Sequence, residues 1–319
     1  MNTIPSIFNE RQINRSTIWG KELNHYSRLN ASVILLNEKG SQFRQPLIEN
    51  LVKCGFHQIV SIELSPDNYN LEELAHKFPF VKFIIPLEKA TEGELINIGM
   101  SEISTDYVLV VRDTLRLNGE FINQRILDKL TENNPFCVVP RLVSVNEGSF
   151  PVVFSPGVNG ATFKISTSSA VNDGLETLSP YDFIAIYNRK KFIQLGGYDY
   201  TISSPYWQNM DLGFRAWLWG EKIRMTTIIT LAYSLEIEAP DVSNDLSYSR
   251  FFMKNLLARF DEDHGVIPKS SFFVYCLRSG CGLIESIKLF ADACSWVEKN
   301  KYRFKMDAKY LVENWGKIK

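Results

Sequence analysis

The chain has 319 residues, of which 45% are hydrophobic, and its formal net charge is −1. This length fits one large α/β domain with an appendage or two ordinary domains. The apolar fraction is typical of a chain with a substantial buried core. The near-neutral charge predicts no general attraction to nucleic acid or to anionic membranes.

The five cysteines are scattered without Cys-x-x-Cys spacing. This pattern favours reduced, buried thiols in a cytoplasmic protein over a zinc site or a disulfide framework. No apolar run reaches the roughly 18–20 residues that span a bilayer, and the N-terminus lacks the apolar core of a secretion signal. The sequence therefore predicts a soluble, cytoplasmic protein without a transmembrane segment, which makes at most peripheral contact with a membrane.

An alternation of short apolar runs and amphipathic segments begins near residue 31. The runs have the length of strands, and the segments between them repeat apolar residues at helical spacing. The predicted strands are 32–36, 59–62, 81–85 and 107–111, and the predicted helices are 43–54, 69–78, 95–103 and 121–131. Continuous apolar strands that alternate with amphipathic helices predict a parallel sheet covered on both faces.

After residue 131, short predicted strands lie among Gly, Pro, Ser and Asn. These strands are 136–139, 151–154, 161–165, 183–186 and 223–231, with an exposed loop at 166–180 and helices at 189–195 and 207–219. Beyond residue 236 the pattern predicts only helices, at 246–260, 272–277, 283–299 and 305–315. We therefore divide the chain into an N-terminal arm or short helix (1–30), an α/β domain (31–235) and a helical C-terminal region (236–319).

The most specific motif lies in the second half of the chain. It reads Leu195-Gly-Gly-Tyr-Asp199 and, after a short loop, Tyr206-Trp-Gln-Asn-Met-Asp-Leu-Gly-Phe-Arg215. This motif resembles the acceptor-side signature of family 2 glycosyltransferases. The resemblance covers roughly residues 31–235 and implies a GT-A-like α/β fold, with a mostly parallel sheet flanked by helices and a C-terminal helical appendage. It also implies transfer of a sugar from a nucleotide diphosphate donor to a glycan, lipid or protein acceptor.

The chain departs from this family where the catalytic base is expected. The family helix reads Glu-Asp-x-Asp-Leu-x-x-Arg, and alignment on Asp211 and Arg215 places Gln208 and Asn209 at the Glu-Asp pair. An amide cannot accept a proton at neutral pH, and loss of a general base typically lowers the rate by about 10²–10⁴-fold. An active enzyme would need another acid, and the nearest are Asp199 and Asp211. Asp211 also has the spacing for a helix ion pair with Arg215.

The resemblance also predicts where a nucleotide binds. Ligands of parallel sheets bind beyond the carboxyl ends of the strands, so we expect contacts from Asn37, Glu63, Arg112 and Asp113, with Asn97 on the helix before the fourth strand. Glu63 lies where the family has an acid that reads the nucleobase, although a solvated acid at a strand end is an equal alternative.

Arg112 and Asp113 occupy the place of the Asp-x-Asp metal motif of the family. Asp113 alone could hold Mg²⁺ or Mn²⁺ together with phosphate oxygens and waters. Arg112 could supply positive charge to the diphosphate directly, because its planar fork suits phosphate. We therefore expect weak metal dependence. A structural ion pair at the end of the strand is the alternative.

Two other functions stay open. A catalytically inactive transferase-like module that binds or scaffolds would also carry amides at 208 and 209. A nucleotidyltransferase would need a Gly-rich basic loop after the first strand, and residues 37–41 are too few and too acidic for one. Near the C-terminus, aromatic residues interleave with Lys and Arg, which predicts docking on the domain, with contact to anionic lipid as the alternative.

Overall fold

We describe a computed structural model of the chain, which covers residues 11–19, 24–37, 44–63, 71–146, 148–159, 162–169, 172–278 and 282–318. Several predicted features lie outside the described residues. They are most of the N-terminal arm, the loop that begins at Glu38 and the segment at 64–70.

The strands are β1 (Arg15–Trp19), β2 (Ala31–Asn37), β3 (Ile59–Glu63), β4 (Val81–Pro86), β5 (Tyr107–Arg112), β6 (Leu115–Arg116), β7 (Cys137–Val143), β8 (Val153–Asn159), β9 (Thr162–Ser168), β10 (Ala185–Asn188), β11 (Ile223–Tyr233), β12 (Arg259–Asp261) and β13 (His264–Val266). The α-helices are α1 (Arg44–Cys54), α2 (Leu71–Lys77), α3 (Glu92–Ser101), α4 (Gln124–Thr131), α5 (Arg189–Gln194), α6 (Pro205–Leu218), α7 (Leu246–Phe251), α8 (Ser271–Arg278), α9 (Leu283–Asn300) and α10 (Ala308–Glu313). A π-helical turn, Phe252–Leu256, follows α7, and a 3-10 turn, Lys301–Arg303, follows α9.

The described residues form a nine-stranded central sheet in the order β1-β4-β3-β2-β5-β10-β7-β11-β6. Strands β2, β3, β4, β5, β7 and β11 run in one direction, whereas β1, β6 and β10 run in the other. Every residue of β2 and β3 is buried, as expected for parallel strands covered on both faces. The predicted fold class, an α/β protein with a mostly parallel sheet flanked by helices, is confirmed.

Short polar residues fix where several helices begin. Thr91 caps α3 in a capping box with Glu94, and Ser204 caps α6 with Pro205 in the first turn. These caps satisfy backbone N–H groups that the helix itself leaves without acceptors. The starts of α3 and α6 are therefore held at defined positions, and both lie beside the candidate site described below.

Three parts of the chain differ from the sequence-based prediction. Residues 15–19, predicted as an arm or helix, form an edge strand antiparallel to β4. Strand β9 continues to Ser168, into the predicted loop, because it pairs along its whole length with β8. The helix predicted over 246–260 ends early, and the hairpin of β12 and β13 follows it. No described helix is both long and apolar enough to cross a bilayer.

The C-terminal region docks on α6. Phe304 and Leu311 are buried, and the Trp315 ring lies 4.9 Å from that of Trp217 in edge-to-face contact. The backbone N–H of Lys305 donates to the carbonyl of Leu218 at 2.8 Å. Of the aromatic residues near the C-terminus, Tyr302 and Tyr310 remain exposed. Most of the apolar surface in this segment therefore packs against the α/β domain.

The Gly-Gly turn and the arginine of the signature motif form one structural unit. Gly196 and Gly197 have φ values of 89° and 67°, which glycine adopts without steric cost. Arg215 is buried and donates to the carbonyls of Leu195 and Gly197, each at 2.8 Å. It also pairs with Asp211 at 2.9 Å, so the predicted helix ion pair is confirmed.

We predict that Arg215→Ala lowers the free energy of unfolding by about 3–5 kcal/mol, because it leaves a buried carboxylate and two carbonyls without their donor. Urea unfolding followed by circular dichroism measures this. Arg125→Ala, at an exposed position of α4, is the matched control and should change stability by less than about 0.5 kcal/mol. Equal effects of the two substitutions would contradict the structural role of Arg215.

Candidate active site

The carboxyl ends of three neighbouring strands bring the predicted nucleotide-contacting residues together. Asn37 of β2 is in register with Glu63 of β3, and Leu36 is in register with Arg112 of β5. Two strand spacings, about 10 Å, therefore separate the backbones of Glu63 and Arg112. The Asp113 backbone N–H continues the ladder by donating to the Leu36 carbonyl at 3.0 Å.

Glu63 lies in a buried polar cluster at this edge of the sheet. Its carboxylate pairs with Arg44 at the start of α1. It also accepts hydrogen bonds from Asn37 at 3.0 Å and from Ser61 at 3.1 Å. Glu63 is fully buried, so a nucleobase contact by Glu63 requires this cluster to open and stays a prediction. The alternative of a solvated acid is wrong.

Arg112 is held between two carboxylates. Its guanidinium pairs with Glu92, the first residue of α3, and its Nε lies 2.7 Å from Oδ1 of Asp182. The guanidinium carbon also lies 5.9 Å from the centre of the Phe183 ring. These contacts place a cation at the end of β5, where the metal motif of the family would lie.

Asp182 and Phe183 both have an unusual backbone conformation. Their φ values are 52° and 63°, in the left-handed region that β-carbon-bearing residues rarely adopt. Non-glycine residues held in this region cluster at binding and catalytic sites. Tyr233 donates its hydroxyl to Oδ2 of Asp182 at 3.1 Å, so the carboxylate is oriented from two sides.

A cavity of about 470 Å³ opens beside these groups, which we call the central cavity. Its walls come from the end of β5, the segment 179–183, the start of α6 and the segment 235–241. Its wall residues include Glu92, Arg112, Tyr181, Asp182, Phe183, Tyr206, Asn209, Glu236, Glu238 and Asp241. This volume lies within the range of ligand sites. Asp113 is buried and does not line this cavity.

Two tyrosines of the central cavity stay protonated at neutral pH. Burial raises the pKa of Tyr181 to about 12, and the neighbouring Asp182 adds to the shift. Burial also raises the pKa of Tyr206 to about 12. Both rings therefore provide apolar faces and hydroxyl donors, and neither can serve as a base.

The two amides in place of the family Glu-Asp pair are internal hydrogen-bonding groups. Gln208 accepts from the Gly93 N–H at 3.0 Å and donates to Thr91 and to the Asp199 carbonyl, each at 2.8 Å. Asn209 donates to the Pro180 carbonyl at 2.5 Å and accepts from the Tyr198 hydroxyl at 3.2 Å. Gln208 thus joins α3 to α6, and Asn209 fixes the segment that leads to Asp182.

Asn97 also makes internal contacts. Its amide donates to the Tyr198 carbonyl at 2.8 Å and accepts from the Tyr198 N–H at 2.9 Å. This reciprocal pair holds α3 against the Gly-Gly turn. A contact between Asn97 and a nucleotide stays a prediction.

Asp199 and Asp211 share a buried cation that the sequence did not predict. Nζ of Lys254, in the π-helical turn, lies 2.5 Å from Asp199 and 3.4 Å from Asp211. Burial alone would raise the pKa of Asp199, but Lys254 and the hydrogen bonds from Thr201 outweigh it and lower the pKa to about 2. Asp211 is fully buried and bound to Arg215, Lys254 and Asn255.

These contacts argue against the predicted proton-accepting role of both acids. A base works best when its pKa is near the operating pH, and Asp199 is far below it. Asp211 has no exposed surface to meet a substrate. The sequence missed the acids that do line the central cavity. Glu92 and Asp182 do not occur at a sequence spacing that indicates a catalytic site. The one usable signal in the sequence was that Glu92 directly follows Thr91, a residue type that caps helices.

The described residues do not form a complete set of protein ligands for a divalent metal. Within these ranges, no group of three or more His, Cys, Asp or Glu side chains could hold a metal ion. Asp113 is a single buried carboxylate, and the neighbouring residue is a cation paired to two acids. A metal role for Asp113 therefore has no support from the surrounding donors.

No protein-family model matches the sequence, and no curated protein matches it significantly. The family 2 resemblance therefore stays a prediction.

The fold is similar to those of solved glycosyltransferases. The crystal structure of GalNAc-T7 with UDP, GalNAc and Mn²⁺ matches with a TM-score of 0.57 at 12% sequence identity, covering 89% of this chain and 56% of that chain. This chain thus spans little more than half the length of that protein. A mannosyltransferase, PcManGT from Pyrobaculum calidifontis in complex with GDP-Man and Mn²⁺, matches with a TM-score of 0.48 at 8% identity, covering 92% of this chain and 79% of that chain. The first similarity shows a GT-A-like fold.

We predict that Asn209→Asp destabilises the protein and does not raise its turnover. The new carboxylate would face the Pro180 carbonyl, which now accepts a hydrogen bond at 2.5 Å. We expect a loss of about 1–3 kcal/mol in the free energy of unfolding at pH 7. Asn118→Asp, at an exposed position, is the matched control. A gain of 10²-fold or more in turnover would instead identify Asn209 as a missing base.

The low pKa of Asp199 predicts a specific loss of stability in acid. Its folded-state pKa of about 2 lies below the ordinary value of 3.8. The resulting stabilisation is present above pH 4 and is lost as the pH falls toward 2. Between pH 5 and pH 2, Asp199→Asn should lose about 2 kcal/mol less than the parent protein. Urea titrations at several pH values measure this, with exposed Asp128→Asn as the control. Parallel curves for parent and Asp199→Asn would contradict the assignment.

Proposed function

We propose that the protein is a glycosyltransferase that moves a sugar from a nucleotide diphosphate donor to an acceptor hydroxyl, with a non-standard active site. One observation carries the proposal. Arg112 at the end of β5 and Asn209 at the start of α6 line the same central cavity. These are the donor-side and acceptor-side positions of the resembled family, and the GT-A-like fold supports the same assignment.

In the proposed reaction, Arg112 replaces the metal as the cation that faces the diphosphate. Guanidinium binds phosphate oxygens in a bidentate manner, and Arg112 is fixed at the strand end where ligands of parallel sheets bind. We derive no step through a metal ion, because the described residues provide no group of three or more protein ligands for one. Removal of divalent ions should therefore weaken the reaction only modestly.

We assign the proton-accepting role to Asp182 in place of Asp199 and Asp211. The acceptor oxygen forms a bond to the anomeric carbon of the sugar, and the bond from that carbon to the diphosphate oxygen breaks. The nucleoside diphosphate leaves with the bonding electrons, and the hydroxyl proton passes to Asp182. Asp182 is paired with Arg112 at 2.7 Å. When Arg112 turns toward the diphosphate, this ion pair weakens and the carboxylate becomes available to the acceptor.

A binding module without catalysis is the second candidate. It is favoured by the internal hydrogen bonds of Gln208 and Asn209, which leave no acid at the family position of the base. In that case the central cavity would bind a nucleotide sugar without turnover. The two candidates differ in whether an acid in the cavity is used chemically, so they are separable by experiment.

We predict that Arg112→Ala weakens nucleotide-sugar binding by at least tenfold, whereas Asp113→Asn changes it by less than about threefold, because a charge-assisted contact is lost only in the first case. Calorimetric titration of each variant with UDP- and GDP-sugars, with Mn²⁺ and with chelator, measures this. Exposed Arg125→Ala is the control for loss of charge. The reverse order of the two effects, or binding abolished by chelator, would return the role to a metal at Asp113.

Asp182→Asn separates the two candidates. A transferase should lose about 10²–10⁴-fold in turnover while it keeps nucleotide-sugar binding. Thermal unfolding should accompany each assay, because Arg112 and Tyr233 both contact Asp182. Binding without turnover in the parent protein would leave the binding module as the function. Neither binding nor turnover with any donor would contradict both.

A further inference from the structure

A second cavity, of about 600 Å³, adjoins the central cavity, and we call it the apolar groove. The two share six wall residues, which are Phe154, Tyr181, Tyr206, Ile237, Ala239 and Pro240. The shared walls show that the two cavities are adjacent, and we take them as two compartments of one site. Arg112 and Asp182 line the central cavity and do not line the groove.

The β8–β9 hairpin supplies one wall of the groove. Side chains of a strand alternate between faces, so Phe163, Ile165 and Thr167 of β9 point to the same side, and all three line the groove. Phe154 of β8 is directly opposite Thr167 and shares that face. The residues between them, Lys164 and Ser166, are exposed. The hairpin thus turns its apolar face toward the groove.

The segment after β11 supplies another part of the wall. Ile237 and Val242 line the groove, and the indole N–H of Trp207 holds the segment by donating to the Ser243 carbonyl at 2.8 Å. Val242 is 55% exposed, although it belongs to this otherwise apolar wall. Thr167 and Asn244 are polar wall residues without charge, and none of the described residues that line the groove is charged.

The charges of the adjoining compartment restrict the ligand further. Among the described residues, the walls of the central cavity contain one base, Arg112, and five acids, which are Glu92, Asp182, Glu236, Glu238 and Asp241. In the proposed reaction Arg112 is taken by the diphosphate of the donor, so an acceptor head with a further negative charge would meet the acids with no described cation to pair with. The acceptor that fits is neutral in its hydroxyl-bearing head and apolar in the part that enters the groove.

We infer that the acceptor is a neutral amphiphile, whose hydroxyl-bearing head lies in the central cavity and whose hydrocarbon tail lies in the apolar groove. The inference rests on the proposed function, because it names the acceptor of that reaction. The groove volume of about 600 Å³ is that of a site for a whole drug-sized ligand. A single aromatic ring would leave most of this volume unfilled, so a hydrocarbon tail fits better. The hydroxyl of the head is the group that attacks the sugar, with the proton passing to Asp182.

Binding of methyl, hexyl, octyl and phenyl β-glucosides, at concentrations where each is monomeric, tests the inference without any donor. Saturation-transfer NMR and calorimetry measure affinity directly, so a failure here is distinct from a failure of donor binding. We expect affinity to rise from methyl to octyl, by up to about fourfold for each methylene that enters the groove. The phenyl glucoside should bind more weakly than the octyl glucoside.

A matched pair of substitutions locates the tail. Val242→Asp places a charge in the groove wall and should weaken octyl glucoside binding by at least tenfold, with little effect on methyl glucoside. Val145→Asp is the control, because Val145 is also exposed, at 40%, and lies outside the groove. Both positions are in exposed segments, so both variants should fold as the parent does.

Three outcomes would overturn the inference. They are equal affinity for methyl and octyl glucosides, stronger binding of the phenyl than of the octyl compound, and equal losses in the two valine variants. With the donor present, octyl glucoside should also be the better substrate. Chain-length-dependent binding without any nucleotide-sugar binding would contradict the proposed function while leaving the groove as a site for hydrocarbon tails.

Discussion

The structure depends on a buried cluster of four charges, in which Asp199 and Asp211 face Lys254 and Arg215. The cluster connects the Gly-Gly turn, α6 and the π-helical turn of the C-terminal region. Charges taken out of water are tolerated only when each is paired and hydrogen-bonded, and here both cations bind acids at close range. The face of Trp296 lies 4.5 Å from Nζ of Lys254 and covers the cluster from α9. Removal of one member would leave the others buried and uncompensated, so the C-terminal region is an integral part of the fold.

This cluster explains what the signature motif encodes. Its glycines allow the left-handed turn, its arginine binds the carbonyls of that turn, and its aspartates neutralise the two cations. The glycines, the arginine and the aspartates of the motif thus each have a structural task, which is why the motif predicted the fold correctly. The structural contacts of Asp199 and Asp211 argue against their predicted role in proton transfer. The spacing of Asp211 and Arg215 was sufficient to predict their pairing. Lys254 was not predictable, because its approach depends on a π-helical turn that has no marker in sequence.

The rest of the fold was predictable where the pattern of apolar residues in the sequence follows the burial of a strand or helix. Strands β2 to β5 are apolar on both faces, so their runs were visible in the sequence. Strand β1 reads as Arg-Ser-Thr-Ile-Trp, which has the composition of an exposed edge, and only its pairing with β4 defines it. The candidate site was predictable from the sequence only in part. Strand ends identify Arg112, but its partners come from α3 and from a left-handed residue that is not glycine. No local rule places Asp182 in such a conformation.

The arrangement of Arg112 couples charge neutralisation to proton transfer in the proposed reaction. A guanidinium between two carboxylates is attracted to both, and an arriving diphosphate competes with them for the same donors. Nearby positive charge lowers the basicity of a carboxylate. An acid that loses its hydrogen bonds to Arg112 therefore becomes a better proton acceptor. The strained backbone at Asp182 holds this acid in place after the exchange, and the Tyr233 hydroxyl keeps one oxygen oriented. A site built in this way would expose its base only when the donor is bound. This order would protect the donor from premature attack by water, and it requires neither the metal nor the acid pair of the resembled family.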